Sequence, residues 1–178
     1  YGTSEKARSS GDIPILRMNN ITSTGELDLT DLKYLDRSSV NDRHLVRRGD
    51  LLFNRTNSPE LVGKTALYRP SDPAMFAGYL VRLRVNSRND PEYLAAFLNS
   101  RYAKRVLRSM CKSIIGMANI NAREVQTINI PVPPLDIQRA FSRTVAQVEQ
   151  SRSTMRRQLK AIDMFFESLQ YRAFRGEL

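Results

Sequence analysis

The heptapeptide Phe53-Asn54-Arg55-Thr56-Asn57-Ser58-Pro59 sets an arginine among two asparagines and a threonine, in a segment stiffened by proline. Arginine can fork onto the O6 and N7 edge of guanine, asparagine can pair with the edge of adenine, and all of these side chains can hold phosphates. The bland alternative is a polar loop whose Asn and Thr side chains satisfy their own backbone, and the local sequence does not separate the two. A second stretch, from Lys112 to Asn121, mixes small, polar and basic groups around Gly116, which can admit a phosphate close to the backbone or simply make a turn. Between Arg101 and Lys112 five cations, Arg101, Lys104, Arg105, Arg108 and Lys112, occur with no acid among them.

Catalytic constellations are missing by comparison. Gly63-Lys64-Thr65 invites a phosphate-loop reading, but that motif needs a glycine at the place held by Ser58. His44, the only histidine, sits in the polar run Asn41-Asp42-Arg43-His44, away from any Ser or Cys nucleophile context. Carboxylates are scattered without the spacing of a two-metal site or an acid/base pair, and no glycine-rich dinucleotide loop follows a predicted strand. One cysteine, Cys111, permits neither an internal disulfide nor a cysteine-rich zinc site, which fits a reducing cytoplasm. The residues therefore read as non-catalytic, with no metal and no cofactor.

The formal charge of +10 in 178 residues, mostly arginine, favours a nucleic-acid partner. Up to Leu135 there are 20 basic residues against 13 acidic ones, and from Asp136 onward 8 against 5, so both parts are basic. Apolar runs are only a few residues long, far short of the roughly 20 that span a bilayer, and no signal peptide is visible. The acidic stretch from Glu26 to Asp42 is expected to face away from a phosphate backbone.

The elements that must position these groups are short strands followed by helices and a last strand. Strands are expected at Ile13 to Met18, Leu51 to Phe53, Lys64 to Arg69, Tyr79 to Val85 and Ile128 to Ile130. In the fourth, Tyr79, Val81, Leu83 and Val85 share one face and Arg82 and Arg84 the other. Asp90-Pro91-Glu92 starts a helix whose core face is Leu94, Phe97, Leu98, Tyr102 and Val106, and Asn121 to Glu124 forms a capping box for a shorter one. Pro131-Val132-Pro133-Pro134 is a stiff hinge. Beyond it, Phe141, Val145, Val148, Met155, Leu159, Ile162, Phe166, Leu169 and Ala173 recur with gaps of four and three, interrupted only by Arg152. Such a narrow stripe makes one long helix that must bury its seam against another. With Val145, Arg152 and Leu159 at a, the e positions hold Glu149, Arg156 and Asp163, which offers opposite-charge pairs only between antiparallel partners. The expected architecture is α+β, a mixed α/β domain over residues 1–134 followed by a pairing helix over 135–178.

Taken in order, YGTSEKA, IPILRMNNI, GDLLFNRTNSPELVGKTALY, GMANINAREV, INIPVPPLDIQ and the ending FRGEL closely resemble the specificity subunit of type I restriction-modification systems. The resemblance covers essentially the whole chain. It implies a non-catalytic subunit whose target-recognition domain reads one half of a bipartite double-stranded DNA sequence. It also implies a conserved helix that joins this domain to its counterpart and to methyltransferase and restriction subunits, which carry the chemistry. Intact members have two recognition domains and two such helices packed antiparallel, whereas this chain has one of each. It thus corresponds to half of a longer subunit or to a half-subunit that dimerises. On this reading the expected DNA contacts are Lys6, Arg8, Arg17, Asn54, Arg55, Asn57, Lys64 and Lys112. A protein-interaction adaptor that binds no DNA is the competing class, and a nuclease or methylase in its own right is disfavoured by the missing constellations.

Overall fold

In a computed structural model, described for residues 1–114 and 117–177 and for backbone alone at 112–114, the chain is α+β and divides into two compact units, Tyr1–Leu135 and Asp136–Leu178. The first unit is organised around one short strand. Gly49, with φ of 91°, turns the chain into the apolar run that forms strand β4, Leu51–Asn54, all four residues of which are buried. An apolar run without alternation suits a strand covered on both faces. Leu52 packs with Leu16, Val46, Ala66, Phe76 and Leu80 on one side, while Phe53 packs with Val62, Val81, Leu107 and Ile120 on the other.

Ten strands and four α-helices are described, in chain order: β1 (Ile13–Leu16), β2 (Lys33–Leu35), β3 (Leu45–Val46), β4, β5 (Thr56–Asn57), β6 (Thr65–Leu67), β7 (Ala74–Phe76), β8 (Leu80–Leu83), α1 (Pro91–Asn99), α2 (Arg101–Met110), β9 (Lys112–Ile114), β10 (Met117–Asn119), α3 (Ala122–Gln126) and α4 (Leu135–Phe174). They form three small sheets in the orders β2-β1-β7-β3, β6-β4-β8 and β5-β10-β9. Among the described strands only β1 and β7 run parallel, and the other pairs are antiparallel.

Several expectations are corrected. The strand expected over Tyr79 to Val85 spans only Leu80–Leu83, and Leu80 and Val81 are buried together because β8 lies beside β4, between two clusters, so strict alternation fails. The helix begins at Asp90, whose carboxylate caps the Glu92 and Tyr93 amides at 2.9 and 3.1 Å, with Pro91 at its first position. It breaks at Ser100. That residue is extended (φ −64°, ψ 155°), ends α1 and caps α2 through its hydroxyl, so the second helix turns a different face inward. Ala103 and Leu107 are the buried residues of α2, and Tyr102 faces outward. Asn121 and Glu124 do make a capping box, at the start of α3. Ile128 to Ile130 joins no sheet.

The second unit is α4, a 40-residue helix whose length at 1.5 Å per residue is about 60 Å. Its stripe stands open within the single chain: Met155, Ile162 and Phe166 are 66%, 63% and 58% exposed. Among the described residues no helix is long and apolar enough to cross a membrane.

Candidate nucleic-acid interface

Strand β4 delivers Arg55 to a rim where three segments meet. Its backbone N–H donates to Tyr79 O at 3.0 Å, and its carbonyl accepts from Ile120 N at 2.9 Å, so the residue is held between the β7–β8 turn and the end of β10. Its guanidinium carbon lies 4.8 Å from the centroid of the Tyr1 ring. Tyr1 is fixed in turn: its hydroxyl accepts from Ala122 N at 3.1 Å, and its carbonyl lies 3.0 Å from His44 Nδ1. Gly2, next in the chain, passes so close to β7 that a Cβ there would meet the Phe76 carbonyl oxygen at 2.2 Å. A planar cation stacked on a tethered ring keeps its hydrogen-bonding edge directed, which suits it to a flat partner such as a base edge.

Beyond Arg55, β5 and β10 pair with Thr56 opposite Asn119 and Asn57 opposite Ala118. Thr56 Oγ1 donates to Asn119 Oδ1 at 3.4 Å, an exposed pair that engages the Asn119 oxygen and not its amide nitrogen. Asn57 spends its side-chain oxygen on Ser58 N at 2.9 Å, so the self-satisfied reading of this loop applies to Asn57 in part. Tyr1 and Tyr79, about half exposed, flank the rim.

The other expected contacts fall elsewhere. Lys64 is corrected outright: it is 7% exposed, and its ammonium donates to Ile21 O at 2.6 Å and Met18 O at 3.0 Å, with burial lowering its pKa. Its charge is consumed in closing a turn of the fold. Asn54 is wholly buried, with neither amide atom hydrogen-bonded among the described residues, so it too is inaccessible to a macromolecule. Arg8 pairs with Asp36 at 2.6 Å and Arg17 with Asp31 at 2.9 Å. The acidic stretch from Glu26 to Asp42, expected to face away from a phosphate backbone, supplies the partners of both. Lys6 lines a groove with Glu5, Arg8, Leu35 and Asp36. The Lys112 side chain and Gly116 lie outside the described residues; the Lys112 backbone pairs with Asn119 across β9 and β10. Of the eight, only Arg55 and Asn57, with the Lys112 backbone, belong to the rim. Sequence reasoning missed Tyr1, Tyr79 and Asn119, because the contacts that gather them span up to 121 residues.

Helix α2 borders the same loop. Gly63, with φ of 77°, lets the chain pass Leu107 where a Cβ would meet Leu107 Cδ1 at 2.6 Å, and its carbonyl accepts from Lys104 Nζ at 2.6 Å. Burial, then repulsion from Lys64 and Arg108, lowers the Lys104 ammonium to about 8 from its ordinary 10.5. The unfolded chain therefore binds more protons than the native state between about pH 8 and 10.5, so this group makes stability rise with pH across that window and flatten below it. The difference in unfolding free energy between the wild type and Lys104→Met, from urea titrations, is expected to shift in favour of the wild type from pH 8 to 10.5. A difference constant with pH would place the lysine in water.

The chain matches the type I restriction modification DNA specificity domain over residues 3–163. It is 31% identical over 186 residues to the type I restriction enzyme EcoKI specificity subunit of Escherichia coli (strain K12), covering 99% of this chain and 40% of that one. It is 26% identical to the putative type I restriction enzyme MjaX specificity subunit of Methanocaldococcus jannaschii, covering 90% and 39%. The chain thus spans about two fifths of the length of these relatives. Its fold is similar to the HsdS subunit from Thermoanaerobacter tengcongensis, with a TM-score of 0.61 at 23% identity over 81% of this chain and 37% of that one. A chain from a structure of type I R-M complex assembly and conformational transition gives a TM-score of 0.65 at 20% identity, over 100% and 42%. The homologues are specificity subunits, a non-catalytic family. From a match that takes in 161 of 178 residues, the chain belongs to the type I restriction-modification DNA specificity domain family.

Proposed function

We propose that residues 1–134 read one half of a bipartite double-stranded DNA target in the cytoplasm. On this reading, residues 135–178 join that domain to a second copy or half-subunit and to methyltransferase and restriction subunits. The observation that carries the first part is the Arg55 rim, where a stacked guanidinium and the amide of the exposed Asn119 offer the donors that read guanine and the groups beside it. The observation behind the second is the apolar stripe of α4, formed by Phe141, Val145, Val148, Met155, Leu159, Ile162, Phe166 and Leu169 around Arg152, in which Val148, Met155, Leu159, Ile162 and Phe166 are more than half exposed. Methyl transfer and cleavage fall to the partners.

Selection of bound duplexes from a random library, with the methyltransferase partner present, names the target. On that target Arg55→Ala is expected to cost about 1–3 kcal/mol of binding and to relax preference at one base pair, with little effect on scrambled duplex. Equal loss on both would make Arg55 a phosphate contact. A library with no enriched motif would favour the adaptor reading.

A further inference from the structure

The exposed face of α2 carries a second concentration of charge that the Arg55 rim does not absorb. Arg101, Lys104, Arg105 and Arg108, with Asn99, line a pocket of about 440 Å³. No acid lines it, and none of Arg101, Arg105 and Arg108 forms an ion pair among the described residues. Arg8, Arg17, Arg69 and Arg84 of the same unit, by contrast, pair with Asp36, Asp31, Glu92 and Asp50. Three arginines on one helix face thus form no ion pair among the described residues, although the charge of Arg108 acts on the exposed carboxylate of Glu60.

Its geometry matches a regular polyanion. Arg101, Arg105 and Arg108 follow an i, i+4, i+7 spacing, so they share one face over about 10 Å of helix. Phosphates on one strand of duplex DNA rise by about 3.4 Å each, so that span meets about three of them. Lys104, between them and half-buried, is held by the Gly63 carbonyl at the end of the loop that begins at Arg55, which links this face to the rim through a single hydrogen bond. Burial first, and then its cationic neighbours Lys64 and Arg108, disfavour the charge of the lysine, and a bound anion would relieve the repulsion. Protein interfaces centre on apolar side chains with few charges; here the exposed residues are arginines, with Tyr102 and Ser109.

We propose that Arg101, Arg105 and Arg108 of α2 form a phosphate-binding face that grips the backbone of duplex DNA beside the bases read at the Arg55 rim. The proposal rests on the DNA-reading assignment above. Such a face contributes affinity without sequence discrimination, and it positions the rim on the duplex.

The test uses the whole 178-residue chain, and compares wild type, a triple Arg→Gln variant and a triple Arg→Lys variant at 101, 105 and 108. All three positions are exposed, and circular dichroism checks that the fold persists. Binding to target and scrambled duplexes is followed from 50 to 300 mM salt. The glutamine variant is expected to lose about two to three units of the slope of log affinity against log salt, equally on both duplexes, and the lysine variant to keep it. An unchanged slope in the glutamine variant overturns the proposal, as does a loss confined to the target duplex. Wild-type DNA binding with failure to capture the methyltransferase subunit would reassign the face to an acidic protein surface, again overturning it. Absence of DNA binding by wild type itself would instead sink the DNA-reading assignment, a separate result.

Discussion

Lys64→Met is expected to lower the unfolding free energy by about 1–3 kcal/mol in urea titration while leaving the salt dependence of DNA binding by the folded protein unchanged. Methionine matches the length and much of the volume of the lysine stem, so the space at 7% exposure stays largely filled. What disappears is the donor to Ile21 O at 2.6 Å and Met18 O at 3.0 Å. Each buried acceptor left without a partner costs about 1–3 kcal/mol. Two terms temper the sum. Met18 O also accepts Ile21 N at 3.4 Å, so it is not orphaned, and removing a desolvated charge returns part of the loss. A fall of one unit in the salt slope, with stability intact, would return Lys64 to the interface.

Lys64 also marks where reading the sequence stops. Lysine is almost never fully buried, so a Gly-Lys-Thr triplet in a basic chain reads as a surface contact by default. The β4–β6 pairing, with Phe53 opposite Thr65, and the 3-10 turn at Met18–Asn20 bring two carbonyls to the ammonium, and neither is visible in local composition. Asn54 fails for the same reason: it is the last residue of a buried strand rather than the first of a loop. The caps at Asp90 and Asn121 and the helical stripe of α4 were legible because each is decided by residues a few positions apart. Strands β2, β3 and β7, of two or three residues, were not, since so short a run has no period to read. The rim divides along the same line. Arg55 was legible as a type of residue in a suitable loop. The Tyr1 ring beneath it came from the far end of the domain's contacts.

Replacing Ile162 and Phe166 together with aspartate is expected to abolish association through α4, raising the dissociation constant of a self-pair at least about 1,000-fold, as measured by sedimentation velocity. A large apolar side chain buried at an interface contributes about 1.5–3 kcal/mol, and a self-pair loses two such side chains from each copy, with charges left in their place. Pairing with a different helix would lose one set only, and the expected rise falls to about 100-fold. The domain's own stability should not change, since both residues are more than half exposed in the single chain. Unaltered association would show that the stripe is covered by something other than a helix partner. The charges at the e positions contribute little by comparison. Arg152 Nη1 already donates to Glu149 Oε1 at 2.7 Å within the same helix, so in the proposed antiparallel pairing Glu149 would reach Arg156 only in competition with that bond. Exposed pairs are worth about 0–1 kcal/mol each, so the exchange is nearly neutral. Register therefore has to come from the seam itself, where Arg152 interrupts the apolar side chains near mid-helix and penalises alignments that bury it against a second apolar side chain. Charge reversal at Glu149 should accordingly leave the dissociation constant within about threefold of wild type, while the aspartate pair removes association altogether.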